Sequence, residues 1–568
     1  MSLPLLALVV MAVLALGYTL YGRLVASQYR LDDAARTPAE EVNDGVDFVP
    51  TKPFYLMGQH FSAIAAAGPI VGPILACGQF GWLPCILWIG LGVVFIGAVH
   101  DFSALVASVR HKAKSIAEIV RVNLGPRAWV GIMTFIWIAL IYVIVAFTDV
   151  TAGTFVGRIE ELEGQKVAFE RGGAVAFSSA AYLLLAMVMG VVQKKLNPPL
   201  WLVTLIFVPA TLGVVWLGTQ CSTYLALGGA SPQKAWGAII LGYCFLASLL
   251  PVWLLLQPRG YLGGFVLYIV LAVGVVGVLF GGFEVKQDAF KGWVQRGPDG
   301  TTTPTGLLFP FLFVTIACGA CSGFHGLVCS GTTSKQIARE SHCRPVGYGG
   351  MLLEGFVALI ALATVMIVAT PASPGVTYAQ GIGKFLTVLI GKEYFLFAFI
   401  FGSLAFSTFV FDTLDVATRL GRYILQELTG ARTRWAGAVA TLATVGVPLF
   451  FILTAETRPG KPPAYMAFWT LFGTSNQLLA ALTLLGITVW LKRSGRPCWF
   501  TFWPMLFVMT ITVCSLTIQA LAAFRQAPGV NPATINGIVC LLLGALAGVL
   551  VFEAVRVVRQ PRPAPQTA

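Results

Sequence analysis

About fifteen stretches of roughly twenty apolar residues, joined by short polar connections, run through this 568-residue chain. No other feature restricts its fold as strongly. Hydrocarbon offers no water to peptide groups, so a segment that crosses a bilayer must satisfy its own backbone as a helix or join a closed barrel. Runs of about twenty residues, rather than alternating runs of about ten, select helices. The chain is 57% hydrophobic and 11% charged, against about 25% charged for soluble domains. It is therefore predicted to be an all-α polytopic membrane protein with about 15 transmembrane helices. No soluble catalytic or signalling domain is left over. The opening run, MSLPLLALVVMAVLALGYTLYGR, has no basic residue before its apolar stretch, so it is expected to be a retained first helix rather than a cleaved leader. The 11 cysteines lie mostly inside apolar runs and read as small buried side chains, not as a disulfide framework.

Charge sets the expected orientation. The net charge of +13 is spread over the connections instead of forming a patch, which argues against nucleic acid as a partner. With Arg556, Arg559 and Arg562 placed in the cytoplasm and the spans alternating backwards, cytoplasmic connections hold about 25 of the 37 Lys and Arg and outer ones about 12. The amino terminus then falls outside, on the periplasmic face. The expected organisation is a first helix and an acidic cytoplasmic loop over 1–56, a first half over 57–283, a second half over 284–557 and a cytoplasmic tail over 558–568.

Two of the apolar segments are poor continuous helices. The first, 57–79, reads MGQHFSAIAAAGPIVGPILACGQ, and Pro69 and Pro73 remove two amide donors beside Gly68 and Gly72. The second, 308–332, contains TIACGACSGFHGLVCSGT. Broken backbone at membrane depth survives only inside protein or along a wet cavity, and a matching pair in two halves of a chain points to a transporter's substrate site. The two segments lie seven spans apart, so they run in opposite directions, as an inverted repeat requires.

Charged groups are expensive in the bilayer, at least about 2.5–3.5 kcal/mol each on insertion scales, and here they are few. His60 precedes the first break and His325 lies in the second; each is a candidate for substrate or proton contact, or a neutral imidazole bonded to a freed carbonyl. His100 and Asp101 sit together within GAVHDFSALVASV and are candidates for proton coupling. Asp412 and Asp415 close another span; they are read either as proton sites or, with Arg419 four residues past Asp415, as an ordinary ion pair. Glu354 reads as a buried packing or hydrogen-bonding group. Ser62, Gly323, the hydroxyls of Ser330, Thr332 and Thr333, and Asn476 within FGTSNQ are candidate substrate contacts beside the breaks. Ser407 and Thr408 read as a weak cation site. Cys318, Cys321, His325 and Cys329 invite a metal reading. Along an intact helix, however, Cys318 and Cys329 are roughly 16 Å apart, whereas Zn–S bonds are about 2.3 Å. No metal and no cofactor are expected.

The segments GQHFSAIAAAGPIVGP, GAVHDFSALVASVRHKAKSIAE, GACSGFHGLVCSGTTSKQIARE, STFVFDTLDVATRLGRYILQEL and FGTSNQLLAALTLLG, from about residue 57 to about 490, closely resemble the carbon starvation protein A family of bacterial inner-membrane transporters. Gln59–His60 stands where many relatives carry two histidines, and longer relatives carry further C-terminal spans. The resemblance implies secondary active uptake of peptides or pyruvate-like carboxylates during carbon starvation, driven in some members by protons, and not an enzyme. It also implies an amino acid–polyamine–organocation-like core of two inverted repeats, with 57–79 and 308–332 as its discontinuous helices. The partners expected are the lipid bilayer, a small-molecule substrate and a coupling proton. The alternative reading is a membrane nutrient sensor acting through a cytoplasmic partner; the oligomeric state is not legible.

Overall fold

The computed structural model describes residues 2–45, 47–65, 67–162, 165–296, 302–431, 433–455, 464–526 and 532–560. The last eight residues of the expected tail, 561–568, lie outside them. The helices used below are α1 (Leu3–Tyr29), α2 (Pro53–Ile64), α3 (Gly68–Phe80), α4 (Trp82–Arg110), α5 (Pro126–Thr154), α6 (Arg171–Leu196), α7 (Leu200–Gln220), α8 (Pro232–Leu249), α9 (Leu256–Phe280), α10 (Leu308–Thr315), α11 (Gly323–Gly331), α12 (Glu340–Met366), α13 (Pro374–Ile390), α14 (Lys392–Thr429), α15 (Arg434–Thr454), α16 (Phe468–Arg493), α17 (Trp499–Arg525) and α18 (Ala533–Arg559).

Among the described residues, 12 helices are long and apolar enough to cross a membrane, and α2 with α3, bent by 50°, makes a thirteenth span. The expected fifteen are not all met by that measure, for two physical reasons. The 18-residue α8 opens on Pro232, Gln233 and Lys234, which lower its mean hydropathy. The 308–332 segment is not one helix but α10 and α11 with non-helical chain between. Two hairpins, Ile159–Leu162 with Gln165–Phe169 and Val294–Arg296 with Thr302–Leu307, lie in connections and add a little strand to the all-helical expectation.

The connections sort into two opposed faces. On one, Val49 and Thr51 donate backbone amides to Lys335 and Gln336, Arg110 pairs with Glu340, and Arg496 bonds the Tyr29 carbonyl. On the other, Trp82 donates to Asp288, Lys286 to Met366, and Lys234 to Leu453. Helix α13 is not among the expected spans. It starts with Gly375 against Thr154 and brings Phe385 against Gly277, both on this second face. It therefore lies along that face without crossing, and the alternation of spans is undisturbed. Long α5 packs beside α14 and α16, and α3 beside α12, which places both breaks in the interior.

Candidate functional site

The two breaks pack on each other because their residues are small. A Cβ on Gly68 would stand 2.3 Å from Cys318 Sγ, and one on Gly72 would stand 2.5 Å from the Thr315 carbonyl oxygen. Backbone therefore approaches backbone where any larger residue would force the helices apart. The groups freed by the second break are taken up by α16. Trp469 Nε1 donates to the Thr315 carbonyl at 3.1 Å, and Gln477 Nε2 donates to Phe313 at 2.9 Å. Asn476 Oδ1 accepts the Phe324 amide at 3.0 Å, in the first turn of α11, while its Nδ2 donates to Ser322 Oγ at 3.0 Å and Cys318 Sγ at 3.2 Å. The amide-rich run in α16 is thus a polar seam that satisfies broken backbone, as membrane depth demands.

Around this junction lies a buried cluster of acids and imidazoles drawn from three elements. His325 Nδ1 on α11 is 2.8 Å from Asp101 Oδ2 on α4, and His100 Nδ1 is 2.7 Å from Asp101 Oδ1. His325 Nε2 is 2.9 Å from Glu354 Oε2 on α12, an ion-pair distance whose angle misses hydrogen-bond geometry, so neither Glu354 oxygen has a hydrogen-bond partner among the described residues. His100, Asp101 and Glu354 are fully buried and His325 is 1% exposed. His60 on α2 stands apart from this chain of contacts: its Nδ1 is 2.9 Å from Thr333 Oγ1, and its Nε2 faces Cys329 Sγ. Among the described residues the contacts of His60 and His325 are to side chains and not to a freed carbonyl. Glu354, expected as a buried packing or hydrogen-bonding group, is buried and is the fourth member of the cluster.

The two remaining acids form a second cluster. Arg259 Nε donates to Asp412 at 2.7 Å, its Nη1 pairs with Asp415, and Tyr243 donates to Asp415 Oδ2 at 2.8 Å. The expected Asp415–Arg419 pair is replaced, because Arg419 spends its guanidinium on the Ala247 and Leu250 carbonyls. Arg259 lies in the first turn of α9 and is fully buried. Only an arginine between two apolar runs that are each long enough to span, followed by glycines that let neighbours close in, marked it in the sequence.

The other candidates divide. Pro69 backs onto Gly319 at the second break, and a Cβ on Gly323 would strike the Asn476 carbonyl, so both line the junction. Pro73 is buried inside α3, and Ser62 is half-buried across from Gly264. Ser330 is spent within the protein: its hydroxyl donates to the Gly326 carbonyl and accepts the Ile116 amide. Thr332 is exposed and bonds its own helix at Val328. Ser407 pairs with Ser179 at 2.8 Å.

A family model described as carbon starvation protein CstA matches residues 3–372 and 367–515. The peptide transporter CstA of Helicobacter pylori is 33% identical over 573 residues, covering 88% of this chain and 80% of the relative. The peptide transporter CstA of Bacillus subtilis is 30% identical over 595 residues, 96% of this chain and 95% of the relative. The pyruvate/proton symporter BtsT of Escherichia coli is 30% identical over 613 residues, 91% and 82% of the two chains. Among solved structures, a manganese transporter of Eremococcus coleocola with an aromatic bis-isothiourea compound matches at 13% identity and TM-score 0.44 over 90% of this chain and 97% of that one. MhsT in complex with L-phenylalanine matches at 12% identity and TM-score 0.45, over 88% and 98%.

Proposed function

The chain belongs to the carbon starvation protein CstA family of membrane transporters, and from that premise we propose that it is a proton-coupled importer of peptides or of a small carboxylate such as pyruvate, working in the bacterial inner membrane with its carboxyl terminus in the cytoplasm and its amino terminus in the periplasm. The observation that carries the coupling is His325 held between Asp101 and Glu354, three helices meeting in one buried acid–imidazole contact beside both breaks. Imidazole is the side chain whose unperturbed charge changes near neutral pH, and a proton bound there is felt by all three elements at once.

We assign the substrate to the junction of the breaks, with Ser62, Gly68, Pro69, Gly72, Pro73, Gly323 and Asn476 as its surroundings, and His60 and Thr333 beside it. The amino-terminal ends of α3 and α11 supply amide dipoles suited to a carboxylate. Alternating access is then the rocking of one inverted repeat against the other about this junction, with α2–α3 and α10–α11 as the discontinuous members. Asp415, buried against a permanent guanidinium, and the partly hydrated Asp412 on the same guanidinium serve to tie α9 to α14 and do not carry the proton.

Proteoliposomes given a proton gradient test this. Uphill accumulation of labelled pyruvate or of a dipeptide, lost in His325→Ala, is expected. Absence of accumulation for both substrates, or full activity in His325→Ala, refutes it.

A further inference from the structure

Glu354 is the member of the buried cluster whose charge the protein supports least. Asp101 has an imidazole nitrogen on each oxygen, at 2.7 and 2.8 Å. Glu354 is as deeply buried, yet among the described residues its one ion-pair contact is His325 Nε2, out of line for a hydrogen bond. An ionised carboxylate buried without donors is costly, and far more so than the neutral acid. Charge counting agrees. Two carboxylates with one imidazolium at His325 leave the cluster at minus one. One further proton on Glu354 makes it neutral without asking any other group to change.

Titratable groups face Glu354 from several elements. From α11 comes His325, and from α4 come Asp101 and, beyond it, His100. Cys318 in the second break faces Glu354, whereas Cys321 and Cys329 face Asp101. His60 on α2 lies within reach of Asp101 and His325 but is bonded to Thr333. No lysine or arginine is among these neighbours, so no permanent cation fixes the charge of Glu354.

Its helix also touches everything that a transport cycle would move. On α12, a Cβ on Gly350 would meet His60 of the first broken segment at 2.9 Å, and one on Gly355 would meet Val93 of α4 at 2.9 Å. On the second break, a Cβ on Gly319 would meet Ala358 of α12 at 2.8 Å. A shift of the second break against α12 therefore changes the distance between His325 Nε2 and the Glu354 carboxyl.

From this geometry we infer that Glu354 is the exchangeable proton site of the coupling cycle, with His325 as the group that receives its proton; the inference rests on the transport reading above. In the transfer, once His325 has released its own Nε2 proton to water, the Glu354 O–H bond breaks and an N–H bond forms again at His325 Nε2, giving a carboxylate beside an imidazolium and leaving the cluster at minus one until Glu354 takes a proton from water. The charge of the cluster is unchanged by that step and changes only when one proton is exchanged with water.

The test compares wild type with E354Q, which keeps the shape of the neutral acid. In proteoliposomes E354Q is expected to exchange labelled for unlabelled pyruvate or dipeptide across the membrane, while accumulation driven by a proton gradient falls to an inside-to-outside ratio of about one and exchange loses its pH dependence near neutrality. Accumulation by E354Q equal to wild type overturns the inference. Wild type that accumulates neither substrate refutes the transport reading instead, and an infrared measurement that needs no substrate then decides for Glu354. The C=O stretch of a protonated carboxyl is expected in wild type and missing from E354Q; identical spectra overturn the proposal. Where E354Q does not fold, E354D carries the same comparison, with a displaced band and pH profile expected and an unchanged pair overturning it.

Discussion

Replacing Arg259 with leucine should be among the most damaging single changes in the protein. The guanidinium is fully buried and serves two carboxylates and the Tyr243 hydroxyl, the last at 2.7 Å. Its loss strands those acids unequally. The Asp415 side chain is 3% exposed and would keep only Tyr243, whereas that of Asp412 is 21% exposed and can hydrate. Removing one partner of a buried ion pair costs about 3–5 kcal/mol, and a partly exposed pair contributes up to about 1 kcal/mol. The expected loss for R259L is thus about 3–5 kcal/mol, nearly all of it from Asp415. D412N removes the better hydrated acid and leaves Arg259 balanced by Asp415, so it should cost under about 1 kcal/mol. The double variant R259L/D415N should recover most of the R259L loss, because no buried charge is left unpaired. Denaturant unfolding in mild detergent, followed by tryptophan fluorescence, gives the ranking. An R259L protein within about 1 kcal/mol of wild type, or one more stable than D412N, would falsify the assignment of Arg259 as the buried counter-ion.

Three further outcomes follow from the contacts. Asn476→Ala deletes the acceptor for the Phe324 amide and the donor to Ser322 and Cys318; a loss of about 1–2 kcal/mol is expected, with faster amide exchange confined to 316–326, and unchanged exchange there would show that the seam is not what holds the break. Arg110 reaches Glu340 with bonds of 2.9 and 2.8 Å and the Tyr29 carbonyl with one of 2.9 Å, so Arg110→Ala should raise hydrogen exchange across 30–52 while sparing α5; protection equal to wild type refutes the clasp. Within that clasp the Ser341 amide, at 2.9 Å, holds the Asp33 carboxyl below the usual carboxylate range. A carboxyl lowered on folding stabilises above its ordinary value of about 3.9 and loses that contribution as pH falls through the lowered one. Asp33→Asn should therefore leave the pH profile of uptake between about 5 and 8 unaltered; a displaced profile contradicts this.

The helices were legible because hydropathy over about twenty residues is a one-dimensional property, and so was each break, because Pro69, Pro73 and the glycines act on their own backbone. What joins the breaks was not. Gly68 against Cys318, or Asn476 against Phe324, is a pairing of residues more than a hundred positions apart, and nothing in either segment names its partner. Glu354 looked like an isolated acid in an apolar run, with no sequence neighbour to give it a role; only the approach of α11 and α4 makes it part of a cluster. Arg259 failed for a different reason. A charged residue between two long apolar runs is cheapest in a connection, and that inference assumed that no acid awaited it. Asp412 and Asp415 were visible 153 and 156 positions away, but the folded arrangement of α9 and α14 is what pairs them. Helix α13 went unread because its 17 residues include Thr377, Tyr378, Gln380 and Lys384 and it lies along a face without crossing.

The two buried clusters solve the same electrostatic problem with different cations, and that difference separates their roles. Asp101 and Glu354 in one, and Asp415 in the other, lie deep in the protein, where an unpaired charge is costly. Around Asp412 and Asp415 the compensating charge is a guanidinium, which stays protonated at any pH the cell meets. Such a pair cannot be discharged, so it ties α9 to α14 in every state of the protein in which those helices stay together. Around Asp101 and Glu354 the compensating groups are imidazoles, a side chain that, unlike guanidinium, exists in both charged and neutral forms. There the pairing is conditional: its strength depends on whether a proton is present, and it joins the second broken segment to α4 and α12. A transporter that spends a proton gradient needs both kinds of tie, one that moves with its helices as a unit and one that a single proton can make or undo. Exchanging the cations would therefore be more informative than deleting them. A guanidinium placed at His325 should hold the broken helices in one arrangement whatever the pH, with binding of pyruvate or dipeptide retained on one side of the membrane and exchange abolished. Free exchange in His325→Arg would mean that the conditional tie lies elsewhere.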